Sequence, residues 1–289
     1  MDAEPVAARE VRLGPWRLRA LRDARFALDG GAMFGVVPRV FWERQTPVHE
    51  DHTIPLATTP WLLQGEGVTV VVEPGLGRRW GEKERRIYHI SHGGGHDLQE
   101  SLAAAGVDLA EVDHCILSHL HWDHAGGAVG EDGRPLFPRA RYWCPEVEVQ
   151  ACLARDHLRR ASYRVEDLQP LLDAGCLEAV PGAAEIAPGL RLVPVGGHSD
   201  GVALVLLETA EGTACFWSDV VPTRLHVPLP WIMAYDLCAV ESWRVREEWI
   251  PRAAREGWLC LLYHDPEEPL GRFREEGGRF RWEGIFCKS

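Results

Sequence analysis

The sequence predicts an α/β fold, built as one domain over residues 1–289. Two observations predict it. Strand-like and helix-like stretches alternate in both halves of the chain. No Pro/Ser-rich linker separates those halves. With 46% hydrophobic residues, the chain can also bury a sizeable core.

The elements read in order as follows. "VRLGPWRLRAL" is extended, and "WLLQGEGVTVVVE" is a hairpin with Gly65 and Gly67 at its turn. "HDLQESLAAAG" is a helix: Leu98 and Leu102 share a face, and Gly106 stops it. "VDHCILSHLH" is a buried strand, and "PEVEVQACLARDHLRRA" and "VEDLQPLLDAG" are helices. "GLRLVPV", "VALVLLE" and "TACFWSDVV" are successive strands. "AVESWRVREEWIPRAAREG" holds a helix that Pro251 is expected to kink or divide, and "WLCLLYHD" is a late strand.

Composition narrows the partners. Lys plus Arg number 31 against 43 Asp plus Glu, a net charge of −12. Such a chain repels phosphate backbones at long range, so nucleic acid is not expected as a partner. "MDAEPVAARE" lacks the apolar run of a secretory signal. No apolar stretch approaches the ~18 residues of a membrane span. The eight cysteines are scattered without a CxxC pair, and Cys115, Cys215 and Cys260 sit in apolar runs. They read as buried free thiols of a cytoplasmic protein.

The chemistry concentrates in "SHLHWDHAGG", Ser118 to Gly127. Side chains two apart in an extended segment point the same way, so His119, His121 and Asp123 converge as the chain leaves its strand. His124 follows at a turn, where Gly126 and Gly127 let the backbone bend. Imidazole and carboxylate together suit zinc, iron, manganese and similar ions.

"HLHWDH" matches HxHxDH, the signature of the metallo-β-lactamase fold superfamily, which this chain resembles. The resemblance continues downstream in "VGGHSDG" with His198, "CFWSDVV" with Asp219 and "LLYHDP" with His264. It implies a four-layer αββα sandwich. In it, residues 1–60 supply strands and a substrate-lining loop, and the metal ligands fall between 119 and 264. It also implies two divalent ions, zinc first, with iron, manganese or cobalt as alternatives. His119, His121 and His198 would hold one ion. Asp123, His124 and His264 would hold the other, and Asp219 would bridge them. Two such ions lower the pKa of a shared water to roughly 7 and make a hydroxide nucleophile available.

Two positions depart from the pattern. Many relatives read GHTPGH around the third histidine, whereas Val202 stands here in place of the second histidine of that run. The upstream strand often ends in aspartate, and here it ends in Glu73. His92 and His96, in a Gly-rich loop, are not needed to complete the ligand set. His114, His157 and His226 read as surface or supporting groups. His49 and His52 reach the site only if their loop folds over it.

The superfamily hosts many reactions. Asp219 weighs against a dedicated β-lactamase, and His121 weighs against the flavodiiron branch. The acidic charge weighs against a ribonuclease Z-like nuclease, which remains an alternative together with a non-hydrolytic iron protein. "FALDGGAMFGVVPRVFWER" and "PLPWIMAYDL" resemble the branch of acyl-homoserine lactonases and methyl parathion hydrolase-like enzymes. That resemblance implies a hydrolase of a small neutral ester, lactone or phosphotriester. Asp123 would orient the nucleophile and carry a proton, Asp219 would set the metal spacing, and Tyr235 would hydrogen-bond the substrate. Met33, Phe34, Trp42, Trp122, Trp231 and Met233 are expected to form an apolar substrate wall. The expected partner is a small molecule, with no membrane and with room for a homodimer.

Overall fold

The structure, a computed structural model, describes residues 10–154 and 156–285. The signal-peptide reading of residues 1–9, and Cys287, lie outside the described residues. The chain opens with three antiparallel pairs. These are β1 (Glu10–Leu13) with β2 (Trp16–Ala20), β3 (Ala24–Asp29) with β4 (Thr53–Thr58), and β5 (Trp61–Gly65) with β6 (Val68–Val72). Strands β7 (His114–Ile116), β8 (Arg141–Pro145) and β9 (Leu177–Val180) complete a seven-stranded sheet ordered β1-β2-β5-β6-β7-β8-β9. A second seven-stranded sheet runs in chain order. It comprises β10 (Ala184–Ala187), β11 (Leu190–Pro194), β12 (Ala203–Thr209), β13 (Gly212–Phe216), β14 (Leu259–Leu261), β15 (Leu270–Glu276) and β16 (Arg279–Gly284).

Helices α1 (Gly30–Phe34) and α2 (Arg39–Trp42) lie between β3 and β4, and α3 (Glu82–Ile87) and α4 (Leu98–Ala104) between β6 and β7. They are followed by α5 (Trp122–Ala125), α6 (Glu146–Ala154), α7 (Val165–Asp173) and α8 (Ala239–Glu256).

Strand alternation builds the layers. Val70 and Val72 of β6 and Ile116 of β7 face a core shared with Ala203, Val205 and Leu207 of β12. The intervening Val71 and Cys115 face the opposite way, onto Leu98 and Leu102 of α4 and Leu168 and Leu171 of α7. Leu204 and Leu206 face Val245, Ile250 and Ala253 of α8. Two sheets therefore enclose one core, and helices cover both outer faces. This is the αββα sandwich the resemblance implied.

Several local readings shift. Glu66 and Gly67, at φ 50° and 78°, make the β5–β6 turn, and Gly65 belongs to the strand. "VRLGPWRLRAL" is itself a hairpin, turning at Gly14 with φ 58°. The helix expected over 145–161 ends at Ala154, because turns closed by Asp156 and Arg159 follow it. Pro251 does not divide α8, which runs on for 18 residues.

A separate apolar cluster sits on the β3–β4 pair and holds Met33, Phe34, Trp42, Trp122 and Met233. Phe34 is sandwiched there between Trp42, at 5.1 Å and 19°, and the His226 imidazole, at 4.8 Å and 3°. Thr223 donates its hydroxyl hydrogen to Nδ1 of His226 at 2.7 Å, and Nε2 donates to the Met33 carbonyl at 2.8 Å. Burial pushes this imidazole from 6.5 down to about 4. The unfolded chain therefore binds a proton between those two pH values and the folded chain does not. Stability from this group is present above pH 6.5 and is lost as the pH falls toward 4. We expect this one group to cost about 2 kcal/mol between pH 7 and pH 5. Urea midpoints of wild type and His226→Gln at both pH values check this: the variant should show the shallower acid dependence. Equal dependence in the two proteins would contradict it.

Candidate metal centre

The ligand loops gather at one edge of the sandwich. The loop after β7 brings His119 to His124, and the β11–β12 connection brings His198. The turn after β13 brings Asp219, and the loop after β14 brings His264. Strand β7, which leads into His119 to His124, pairs in parallel with β6, and β13 and β14, which lead into Asp219 and His264, pair in parallel with each other. All seven side chains are buried.

The seven fall into two groups. His119, His121, His198 and Asp219 converge, and so do Asp123, His124 and His264. The expected alternation of side chains holds for His119 and His121. It stops there because Trp122 begins the short helix α5, whose Ala125 amide bonds back to the His121 carbonyl at 2.9 Å. That helix turns Asp123 and His124 toward the second group. The helix is tethered at Trp122, whose amide donates to the Ser162 carbonyl at 2.9 Å.

His119, His198 and His264 each have one nitrogen anchored or guarded and present the other inward. His119 Nδ1 meets the Ser118 hydroxyl at 3.0 Å, leaving Nε2 buried without a hydrogen-bond partner. His198 Nδ1 lies 2.9 Å from Asp236 Oδ1, and His264 Nδ1 donates to the Ala57 carbonyl at 3.0 Å. The inward nitrogens then crowd together: His121 Nδ1 and His198 Nε2 are 3.1 Å apart, as are His124 Nε2 and His264 Nε2. Asp219 spans the groups. Its Oδ2 is 3.1 Å from His198 Nε2, and its Oδ1 is 3.2 Å from His264 Nε2 and 3.4 Å from His124 Nε2.

This donor set fits metal cations. A ring-nitrogen lone pair lies in the plane of its ring, and inclined rings can direct their lone pairs at one point. The rings of His119, His121 and His198 meet at 69° to 84°, and those of His124 and His264 at 89°. The more exposed cluster of His49, Asp51 and His89 is a further metal-capable group, with its two rings parallel within 4°.

The electrostatics divide the ligands: against burial, the neighbouring carboxylates raise His124 well above and His198 above the ordinary pKa. Burial, then neighbouring imidazoles, holds His119 and His121 well below their ordinary pKa, so both stay neutral as ligands must. Burial works against the Asp219 carboxylate, but His124, His264 and His198 outweigh it and hold its pKa well down.

Glu73, which the family pattern singled out, and residues outside any motif complete the frame. Glu73 is fully buried, accepts from the Ser118 amide at 2.9 Å and places its other oxygen 3.6 Å from His124 Nδ1. The longer arm that departs from the pattern thus braces the ligand loop. The Tyr263 hydroxyl donates to the Asp123 carbonyl at 2.7 Å. Asp236, which steers His198, lies beside Tyr235 in the sequence with no spacing to mark it. Glycines seat the loop on its neighbour: a Cβ at Gly126 or Gly127 would strike the carbonyl oxygen of Leu76 or Pro74.

The other expected site residues divide. Tyr235 is 38% exposed, and burial together with the charges of Asp29 and Asp123 raises its pKa. Trp122 is buried, packing on Phe26 at 6.1 Å and Tyr88 at 4.8 Å, and Phe26 reaches His264 at 5.3 Å. Met33, Phe34, Trp42 and Met233 lie inside the apolar cluster. Trp231 borders that cluster and a separate cleft of ≈ 940 Å³ that it shares with Trp243 and Trp282. His92 and His96 join none of the metal-capable groups found among the described residues. His114 Nδ1 accepts from Trp143 at 3.2 Å.

Family comparison agrees with this architecture. Residues 53–276 match the model of the metallo-beta-lactamase superfamily, and the chain belongs to that superfamily. An N-acyl homoserine lactonase of Bacillus thuringiensis is 30% identical over 110 residues, a match that spans 38% of each chain. A probable metal-dependent hydrolase from Staphylococcus aureus shares the fold at TM-score 0.87 and 24% identity, over 96% of this chain and 100% of that one. AidC, a dizinc quorum-quenching lactonase solved with a homoserine product, shares it at TM-score 0.78 and 18% identity, over 98% and 99%.

Asp219→Ala removes the one group shared by both clusters. The variant should keep its fold by circular dichroism yet lose most bound metal by elemental analysis, while His92→Ala and His96→Ala keep theirs. Metal loss in either histidine variant, with none in Asp219→Ala, would refute the ligand assignment.

Proposed function

We propose that this chain is a dinuclear metal hydrolase acting on small neutral lactones or esters. One observation carries the proposal: the two oxygens of buried Asp219 face separate imidazole groups. Two divalent ions, zinc first given the nitrogen and oxygen donors, would supply Lewis acidity and a water activated at neutral pH when bound. His119, His121 and His198 would hold one ion, Asp123, His124 and His264 would hold the other, and Asp219 would serve both.

The remaining steps belong to the chain's own groups. Asp123, with Oδ2 3.5 Å from His264 Nε2, orients the attacking water and returns its proton to the leaving oxygen. Tyr235 donates a hydrogen bond to the substrate oxygen, and its raised pKa keeps that proton in place at neutral pH. Trp122, in the ligand loop and packed against Phe26 and Tyr88, offers an apolar surface, with Phe26 itself against His264. The buried residues Met33, Phe34, Trp42 and Met233 support that wall from behind.

The substrate class follows from charge and from likeness. The net charge of −12 disfavours RNA and dianionic phosphates, and the lactonases named above act on, or hold, small homoserine compounds. Phosphotriesters, also neutral, are side substrates in this reading. Among the described residues no helix is long and apolar enough to cross a membrane. The seven free cysteines described there accord with a cytoplasmic location.

Specificity constants across short- and long-chain lactones, an aryl ester, a phosphotriester and an RNA oligonucleotide test the reading. Burying one more apolar group is worth roughly 1.5–3 kcal/mol, so a longer acyl chain should lower KM by about one to two orders of magnitude at most. Tyr235→Phe should lower kcat on the best lactone by about 10²-fold. RNA leading the series, or a Tyr235→Phe enzyme as fast as wild type, would contradict the proposal.

A further inference from the structure

One buried carboxylate near the centre belongs to neither ligand group. Glu148 lies in the first turn of α6, fully buried, and its oxygens reach into two ligand-bearing loops. Its Oε1 accepts from the Gly201 amide at 2.7 Å, three residues beyond His198. Its Oε2 accepts from the Leu120 amide at 3.2 Å, between His119 and His121, and from the Tyr163 hydroxyl at 2.8 Å.

Tyr163 extends the contact. Its ring packs against the His121 imidazole at 4.8 Å and 82°, and its backbone forms a bridge with His121. The Gly201 loop sits so close to α6 that a Cβ there would strike Val147. The Leu120 and Gly201 amides can only donate, and the Tyr163 and Ser199 hydroxyls also face Glu148, so acceptor oxygens on both sides suit the site, while burial raises the pKa of the carboxyl above its ordinary value.

These contacts serve one side of the centre. Leu120, Tyr163 and Gly201 hold the segments that carry His119, His121 and His198. No hydrogen bond found for Glu148 among the described residues reaches Asp123, His124 or His264. We infer that Glu148 is a positioning residue that clasps the two loops of the His119, His121 and His198 group, and so sets the affinity of that half of the centre selectively. The inference rests on the two-ion reading proposed above.

The test separates the two halves. The metal-free chain is titrated with Zn²⁺ against a chromophoric chelator, and His198→Ala and His264→Ala assign each binding step to its group. Glu148→Gln keeps the shape but turns an amide N–H toward a donor. It should weaken the step assigned to the His198 group by about 10–100-fold, the usual effect of losing an outer partner, and leave the other step within about twofold. The Co²⁺-loaded variant should show an altered visible spectrum for that half alone. Tyr163→Phe, which removes a single donor, should show the same selectivity at smaller size, and it decides the matter if Glu148→Gln does not fold. Two unchanged steps, or an equal loss at both, in the folded variant would overturn the clasp. A wild-type chain that takes up no zinc would overturn the two-ion reading beneath it, and the clasp with it.

Discussion

Asp219 is a buried carboxylate with imidazole nitrogens at 3.1 to 3.4 Å from its two oxygens, and this arrangement constrains everything around it. Five imidazoles and two carboxylates stand together away from water. Pairs of ring nitrogens 3.1 Å apart need positive charge between them, supplied either by protons or by cations. Protons satisfy the carboxylates and crowd the imidazoles, while divalent ions satisfy both. The inclined ring planes favour ions, because each pair of lone pairs then has a common target.

The scaffold meets that constraint by anchoring three of the histidines from different directions. Ser118 guards His119, Asp236 steers His198, and the Ala57 carbonyl on β4 holds His264. The ligands therefore depend on both sheets and on the β3–β4 pair at once. Glycines bring the metal loop against residues 74–76 without side chains in between. Misplacing any of these supports would tilt a lone pair away from its target, which is why the region is buried and cross-linked by hydrogen bonds.

Much of this was legible in the sequence for physical reasons. The ligand types and their order are local and carry the family signature, so His119, His121, Asp123, His124, His198, Asp219 and His264 could be named before any geometry. Apolar runs in "VTVVVE" and "VALVLLE" marked strands. The supports were not legible. Glu148 and Asp236 act through backbone amides and ring nitrogens far away in the chain, and nothing in "PEVEVQ" or "AYDL" signals that. Nor does hydrophobicity separate a substrate wall from a core: Phe34 and Trp42 look alike in both roles until His226 is found stacked on Phe34. Helix α5 cut short the simple alternation of the motif because the His124 and Ala125 amides bond back to the His121 carbonyl, while Ser162, far along the chain, holds the Trp122 amide.

The central claim is that two ions sit on either side of Asp219. Anomalous diffraction from crystals of the zinc-loaded protein, collected at the zinc edge, addresses it most directly. The account predicts two peaks about 3.5–4 Å apart, one among His119, His121 and His198 and the other among Asp123, His124 and His264, with Asp219 between them. A single peak, or zinc lodged between His49 and His89 while this centre stays empty, would contradict it.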